Sequence, residues 1–263
     1  MRKTVLVLAS LALAVLLVST AAWAAQTIRC KPGSTQRNPC EGTNRADNMR
    51  GTLGRDYIIS YAGIDFVNGF SGNDYLHSGD GADRVYGMTG NDSVIGGRGV
   101  DRISGGDGAD YVDVGSGPGG PDTGSSNEVG NQAFGGTGND TMVGVLGDDA
   151  LVGDSGADQL HGQNGDDRLY GGGGPDRLLG GFGPDRVYGG DGPDRISENA
   201  SYFGVDRLYG EAGNDFIDVG YRAHFTFGSN RDFVYCGGGF DTVVGVHPPD
   251  VVAADCERVN RVP

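Results

Sequence analysis

Aspartate returns every nine residues along most of this chain: at Asp47, Asp56, Asp65, Asp74, Asp83, Asp92, Asp101 and Asp110, then at Asp140, Asp149, Asp158, Asp167, Asp176, Asp185 and Asp194, then in the pairs Asp206 and Asp215, and Asp232 and Asp241. A fixed period held over so many copies specifies a stack of like units, each too small to bury its apolar surface alone and each completed by its neighbours. Two positions before nearly every aspartate stands glycine, with Arg45 and Asn230 as exceptions, and two positions after it stands an apolar residue such as Ile58, Val67, Leu76, Leu160, Leu169 or Ile196. The unit reads GGxGxDxUx, with U apolar, and Gly189 to Ser197 is its cleanest copy. Glycines at the first, second and fourth positions allow positive φ and close backbone approach, which predicts a tight six-residue turn with inward carbonyls. The remaining three residues predict a short strand whose middle apolar side chain faces the core while its neighbours, often Arg and Tyr or Ser, face water.

This unit resembles the RTX, or haemolysin-type, calcium-binding repeat, and the likeness runs from Asp47 to about Val244. The resemblance implies an all-β fold, a right-handed parallel β-roll or β-helix solenoid with two nonapeptides per turn. It further implies rows of calcium ions between turns, held by aspartate carboxylates and glycine-loop carbonyls. The metal ligands it implies are Asp56, Asp65, Asp74, Asp83, Asp92, Asp101, Asp110, Asp140, Asp149, Asp158, Asp167, Asp176, Asp185, Asp194, Asp206 and Asp215. With two repeats per turn, Asp176 stacks over Asp158 and Asp185 over Asp167. Calcium takes six to eight oxygens in a flexible geometry, whereas magnesium demands a tight octahedron, so an irregular carbonyl cage suits calcium. Without the ion the stacked carboxylates repel and each turn buries only two modest side chains, so the chain is expected to fold only with calcium. A calcium-free glycine-rich loop array or a disordered acidic linker would not keep glycine, aspartate and aliphatic residues in one register.

Composition agrees with an unusual core. The 51 glycines in 263 residues far exceed ordinary usage, and 35 acidic against 20 basic residues leave a formal charge of -15. That charge disfavours nucleic acid and anionic lipid as partners and favours cations. Arg2 and Lys3, the apolar run from Val5 to Val18 and the small residues of Ala22-Trp23-Ala24 predict a signal peptide over 1–24 and a secreted, extracellular chain; an uncleaved anchor is the alternative. No later segment could cross a bilayer as an apolar helix. An oxidising compartment makes disulfides of the four cysteines, which sit only at the two ends. A long solenoid would hold those ends apart, which pairs Cys30 with Cys40 and Cys236 with Cys256. A zinc site is disfavoured by the lack of any CxxC spacing.

The expected organisation is a disulfide-bonded N-terminal cap over 25–46, a first array over 47–113, a degenerate turn or loop over 114–134, a second array over 135–244 and a C-terminal cap over 245–263. The loop is marked by Asp122, twelve residues after Asp110, followed by Gly124 where an apolar residue belongs, with Asn131 next in register. The second array is interrupted near 198–204, which carries the sequon Asn199-Ala200-Ser201, and near 219–230. Other signals are weak. Gly153-Asp154-Ser155-Gly156 resembles a serine-protease nucleophile segment but lies in the repeat register, and the four histidines show no HExxH spacing. The Asp-Arg dipeptides read as a solvated face. The expected function is therefore an extracellular, non-enzymatic calcium-binding protein with a structural or surface role, partnered by calcium and by cell-surface or matrix components. The alternatives are the repeat tail of a secreted hydrolase or epimerase, for which little chain remains, and an adhesin, which calls for a more regular outward face.

Overall fold

The computed structural model describes residues 25–115, 129–198, 204–220 and 231–261. The expected signal peptide, Asp122 and the sequon lie outside the described residues. What is described is all β: two twelve-stranded parallel sheets, with successive strands assigned alternately to one and the other. No helix among the described residues is long and apolar enough to cross a membrane. The first sheet contains, for example, Phe66–Ser71, Arg84–Thr89, Arg168–Gly173 and Arg186–Asp191; the second contains Tyr75–Asp80, Ser93–Arg98, Gln159–Asn164 and Arg177–Phe182. In-register neighbours are Leu169 with Val187 and Leu160 with Leu178, so two nonapeptides complete one turn of a β-solenoid.

The residues of each repeat explain its path. The strand starts directly after the aspartate, and burial then alternates. In Arg186–Asp191 the residues Val187 and Gly189 point inward between exposed or half-buried neighbours. Inward residues from the two sheets, among them Leu151, Leu169 and Val187 against Leu160, Leu178 and Ile196, form one narrow continuous core. The strands are longer than the three residues expected. Pairing continues past the glycine at the first repeat position, which the ladder skips, into the next two residues, as in Tyr170↔Tyr188 followed by Gly172↔Gly190. The reason is that every turn bends at the same place: Gly172, Gly181 and Gly190 all take positive φ at the second position, so stacked backbones bend together and keep their hydrogen bonds. Only three residues are left for the sharp turn.

The chain leaves this path three times, each time after a second-sheet strand: Tyr111–Asp113, Arg195–Ser197 and Phe216–Asp218. It returns each time as a first-sheet strand, in Val129–Thr137, Arg207–Ala212 and Phe233–Gly238. Val129–Thr137 begins inside the stretch expected as loop. Gln132, Ala133 and Phe134 pair with Arg102, Ile103 and Ser104, and Ala133 takes the core position between the exposed Gln132 and Phe134, because strand alternation turns it inward although its aspartate is replaced by Asn131.

Both ends are closed as expected, by disulfides joining Cys30 to Cys40 and Cys236 to Cys256. Ile28, Cys30 and Cys40 at one end, and Val252, Cys256 and Val259 at the other, pack against the last core residues, which shields edges that solenoids must cover. The outward face is more regular than the sequence suggested. Tyr170, Tyr188, Tyr209 and Tyr235 form one continuous stack on the first sheet, with ring centroids 4.8, 4.6 and 4.9 Å apart, beside a row of Arg168, Arg186 and Arg207. Residues eighteen or so apart in sequence become neighbours only once the register is fixed.

Candidate metal centre

Winding the period into two-repeat turns sorts the aspartates into two internal columns. Asp65, Asp83, Asp101, Asp167, Asp185 and Asp206 precede first-sheet strands and Asp149 is the second residue of one, Asp148–Ser155; Asp56, Asp74, Asp92, Asp110, Asp140, Asp158, Asp176, Asp194 and Asp215 precede second-sheet strands. All are buried. Each column is tied by one recurring bond, in which the backbone N–H of an aspartate donates to Oδ1 of the aspartate one turn on. Examples are Asp149 to Asp167 at 2.8 Å, Asp167 to Asp185 at 2.9 Å and Asp158 to Asp176 at 2.8 Å. The bond survives the departures, joining Asp110 to Asp140 at 2.7 Å and Asp185 to Asp206 at 2.9 Å.

The second oxygen is different. Oδ2 is buried without a hydrogen-bond partner in Asp65, Asp74, Asp83, Asp92, Asp101, Asp110, Asp140, Asp149, Asp158, Asp167, Asp176, Asp185, Asp194 and Asp215. A buried anionic oxygen with no donor costs free energy, and a regular series of them marks a missing positive partner. Burial accordingly pushes Asp65 up to about 6, Asp74 and Asp101 to about 7 and Asp149 to about 8. Asp185 rises to about 9 through burial and then the facing Asp167 charge.

The surroundings of each Oδ2 are oxygen-rich. A Cβ added to Gly189 would meet Asp194 Oδ2 at 2.5 Å and the Gly210 carbonyl of the next turn at 2.6 Å, so glycine at the first position leaves space into which a carboxylate and a carbonyl converge. Where serine replaces that glycine, its hydroxyl shows where the carbonyl points: Ser60 donates to Ser78 O at 2.6 Å and Ser78 to Gly96 O at 2.8 Å. No cysteine is free to offer sulfur among the described residues. Carboxylate plus carbonyl oxygens, in a loop able to adjust, are the donor set of a hard cation with high coordination number.

The columns are not uniform. Asp47 Oδ2 accepts from Thr43 N at 2.7 Å and Thr43 Oγ1 at 2.8 Å. Asp56 accepts from Thr52 N and Oγ1 at Oδ2 and from Ser34 Oγ at Oδ1. Protein donors thus occupy both oxygens of Asp56 at the N-terminal end. At the other end Asp250 Oδ1 accepts from Asp232 N and Glu257 Oε2 accepts from Asp241 N, extending the columns with two residues outside the predicted set. Asp250 keeps the nine-residue step from Asp241, a signal hidden because Pro248 stands where glycine should. Glu198 is a further buried carboxylate that no repeat position foretells. Ser155 sits exposed at the third repeat position, paired in the ladder with Thr137 and Gly173.

A sequence model of the RTX calcium-binding nonapeptide repeat, four copies long, matches residues 41–69, 50–85, 86–119, 134–169, 143–178, 170–197 and 202–220. No curated protein matches the chain. The matches span more than half of the sequence and coincide with the turns that carry the unpartnered oxygens, so the chain belongs to the RTX calcium-binding nonapeptide repeat family and is a calcium-binding repeat protein.

Proposed function

We propose that this is a secreted, non-catalytic protein, a structural or surface component whose roll assembles when it binds calcium outside the cell. The observation that carries the proposal is the pair of buried Oδ2 columns. The residues that would hold the ions are Asp65, Asp83, Asp101, Asp149, Asp167, Asp185 and Asp206 in one column and Asp74, Asp92, Asp110, Asp140, Asp158, Asp176, Asp194 and Asp215 in the other, with glycine-loop carbonyls. Calcium supplies the positive charge that the unpartnered Oδ2 atoms of the series from Asp65 to Asp194 and of Asp215 lack, together with room for six to eight oxygen ligands. The paired disulfides and the basic, apolar N-terminus support export. For a cell-surface or matrix partner, the Tyr170 to Tyr235 stack with its arginine row is the most ordered face on offer.

Two variants test the ligand assignment. Asp167→Ala is expected to lose bound calcium and to cost on the order of 1–3 kcal/mol, as when a buried polar network loses a partner. Asp56→Ala, whose oxygens are met by Thr52 and Ser34, is expected to keep the full number of ions at a stability cost of about 1–2 kcal/mol. Isothermal titration reads both, and equal calcium loss in the two would refute the distinction.

The raised carboxylates also set opposite pH responses with and without the ion. Their folded pKa values of about 6 to 9 exceed the ordinary 3.8, so the metal-free roll prefers the protonated form. Its penalty is absent below about pH 4 and grows as pH rises through that range. With calcium the sign reverses, because protons compete for the same oxygens. In dialysed, calcium-free buffer the β-sheet circular-dichroism signal should rise from pH 8 to pH 5, while in fixed calcium the melting temperature should fall. Slopes of the same sign would contradict this.

A further inference from the structure

The three departures begin at one equivalent place, the first repeat position after a second-sheet strand, where unbroken repeats have Gly144, Gly162 or Gly180. Each departure puts a buried side chain there: Val114 at 0%, Glu198 at 6% and Val219 at 2% exposure. Valine is evidently enough to fill the space, so a carboxylate at the second departure calls for a reason other than packing.

The first departure shows what the site needs. Asn131 stands in the aspartate column, its Oδ1 accepts from Asp101 N at 2.7 Å, and its Nδ2 donates to Val114 O at 3.2 Å and Gly115 O at 3.4 Å. The amide hydrogens thus supply the positive end that inward carbonyls demand. At the second departure the column residue is Asp206, which has no such donor to give, and Glu198 adds another anion. Glu198 Oε2 accepts from Gly181 N at 3.3 Å, but Oε1 is buried with no partner, as is Oδ2 of Asp185. The two side chains converge, since a Cβ on Gly180 would meet both Glu198 oxygens at 2.5 Å and Asp185 Oδ2 at 2.6 Å. One ligand atom each from Asp185, Glu198 and Asp206 can be chosen so that all lie within 4.8 Å of one another. Among the described residues no basic side chain is bonded to Glu198.

We propose that Asp185, Glu198 and Asp206 together bind a calcium ion that anchors the second departure, with Glu198 supplying side-chain oxygens in place of the loop carbonyls that the unbroken repeat would present, while Asn131 closes the first departure without an ion. The donor set is all oxygen, carries three negative charges and leaves positions for backbone or water, which suits calcium. Its charge exceeds that of the regular sites, so it fills first and seats the turns from Arg207 onward. The proposal rests on the assignment of the column aspartates as calcium ligands.

The test is isothermal titration of the full-length protein with calcium chloride, comparing wild type with Glu198→Gln, which keeps shape and removes charge, and Glu198→Val, which copies the other two departures. Circular dichroism in saturating calcium verifies that the titrated protein is folded, and the valine variant serves if the glutamine variant is not. The expected result is one calcium fewer per chain and loss of the tightest binding step in either variant. Unchanged stoichiometry and affinity in a folded variant would overturn the proposal. Asp167→Ala, titrated alongside, separates the two failures: if it loses calcium while the Glu198 variants do not, the regular sites stand and the departure site falls; if it loses none while they do, the reverse holds.

Discussion

Stripped of calcium at neutral pH, the protein is expected to lose most of its β-sheet circular-dichroism signal and its cooperative melting, and to regain both on addition of calcium but not of equimolar magnesium. The argument is the balance of each turn. Eighteen residues separate one stacked aspartate from the next, as in Asp149 and Asp167, and against the entropy of ordering them a turn buries two apolar side chains such as Leu169 and Leu178. Most turns also bury two carboxylates whose Oδ2 atoms meet no donor, at pH values where burial and mutual repulsion oppose their charge. Removing the cation leaves those anions facing one another along the whole length of the core. Metal binding and folding are then one equilibrium, and because turns couple chiefly to their neighbours, the transition in calcium should be cooperative. The disulfides hold only the ends and cannot rescue the middle. A chelated protein that keeps the sheet signal and melting temperature of the calcium-loaded one would sink the proposal that the ion drives assembly.

Much of this was legible from the period and from the resemblance it carries. Nine-residue spacing, glycine placement and the apolar eighth position point to a stack of short strands with one inward residue per repeat, and the resemblance to RTX repeats adds two repeats per turn and with it in-register pairs such as Leu160 with Leu178, because in a solenoid every long-range contact is a local rule repeated. End-to-end separation likewise led to the two disulfides. What the period could not carry is whatever depends on a break in it. Ala133 enters the core although Asn131 replaces its aspartate, since stacking on Ile103 matters more than the missing carboxylate. Asp250 and Glu257 join the columns without the glycines that flag other members. Of the two protein-capped aspartates, Asp56 looks like any other in sequence and only Thr52, four residues before it, distinguishes it, whereas Asp47 has Thr43 at the same offset and also Arg45 in place of the usual glycine. Glu198 gives no periodic signal at all, because its role comes from where the chain departs and not from its place in a repeat.

The second large effect concerns glycine, and it separates the third and fourth positions of one repeat. At the third position Gly173 stacks between Ser155 and Asp191, and a Cβ there would meet nothing nearer than the Asp154 carbonyl oxygen at 4.0 Å. At the fourth position Gly156, Gly165 and Gly174 take φ of 152°, 142° and 122°, in a region that is nearly closed to L-residues. There the glycines also stack directly on one another, so that a Cβ on Gly174 would run into the carbonyl of Gly156. Gly174→Ala combines backbone strain with a clash against main chain that cannot rotate away, and is expected to cost on the order of 3 kcal/mol or more and to weaken calcium binding in the adjoining turns. Gly173→Ala, at the residue just before it, should change stability by about 1 kcal/mol or less, because side chains already stand at that place one turn earlier and one turn later, in Ser155 and Asp191. Thermal melts of both variants in saturating calcium measure the difference. Equal destabilisation would show that it is not the fourth-position geometry that forbids a side chain.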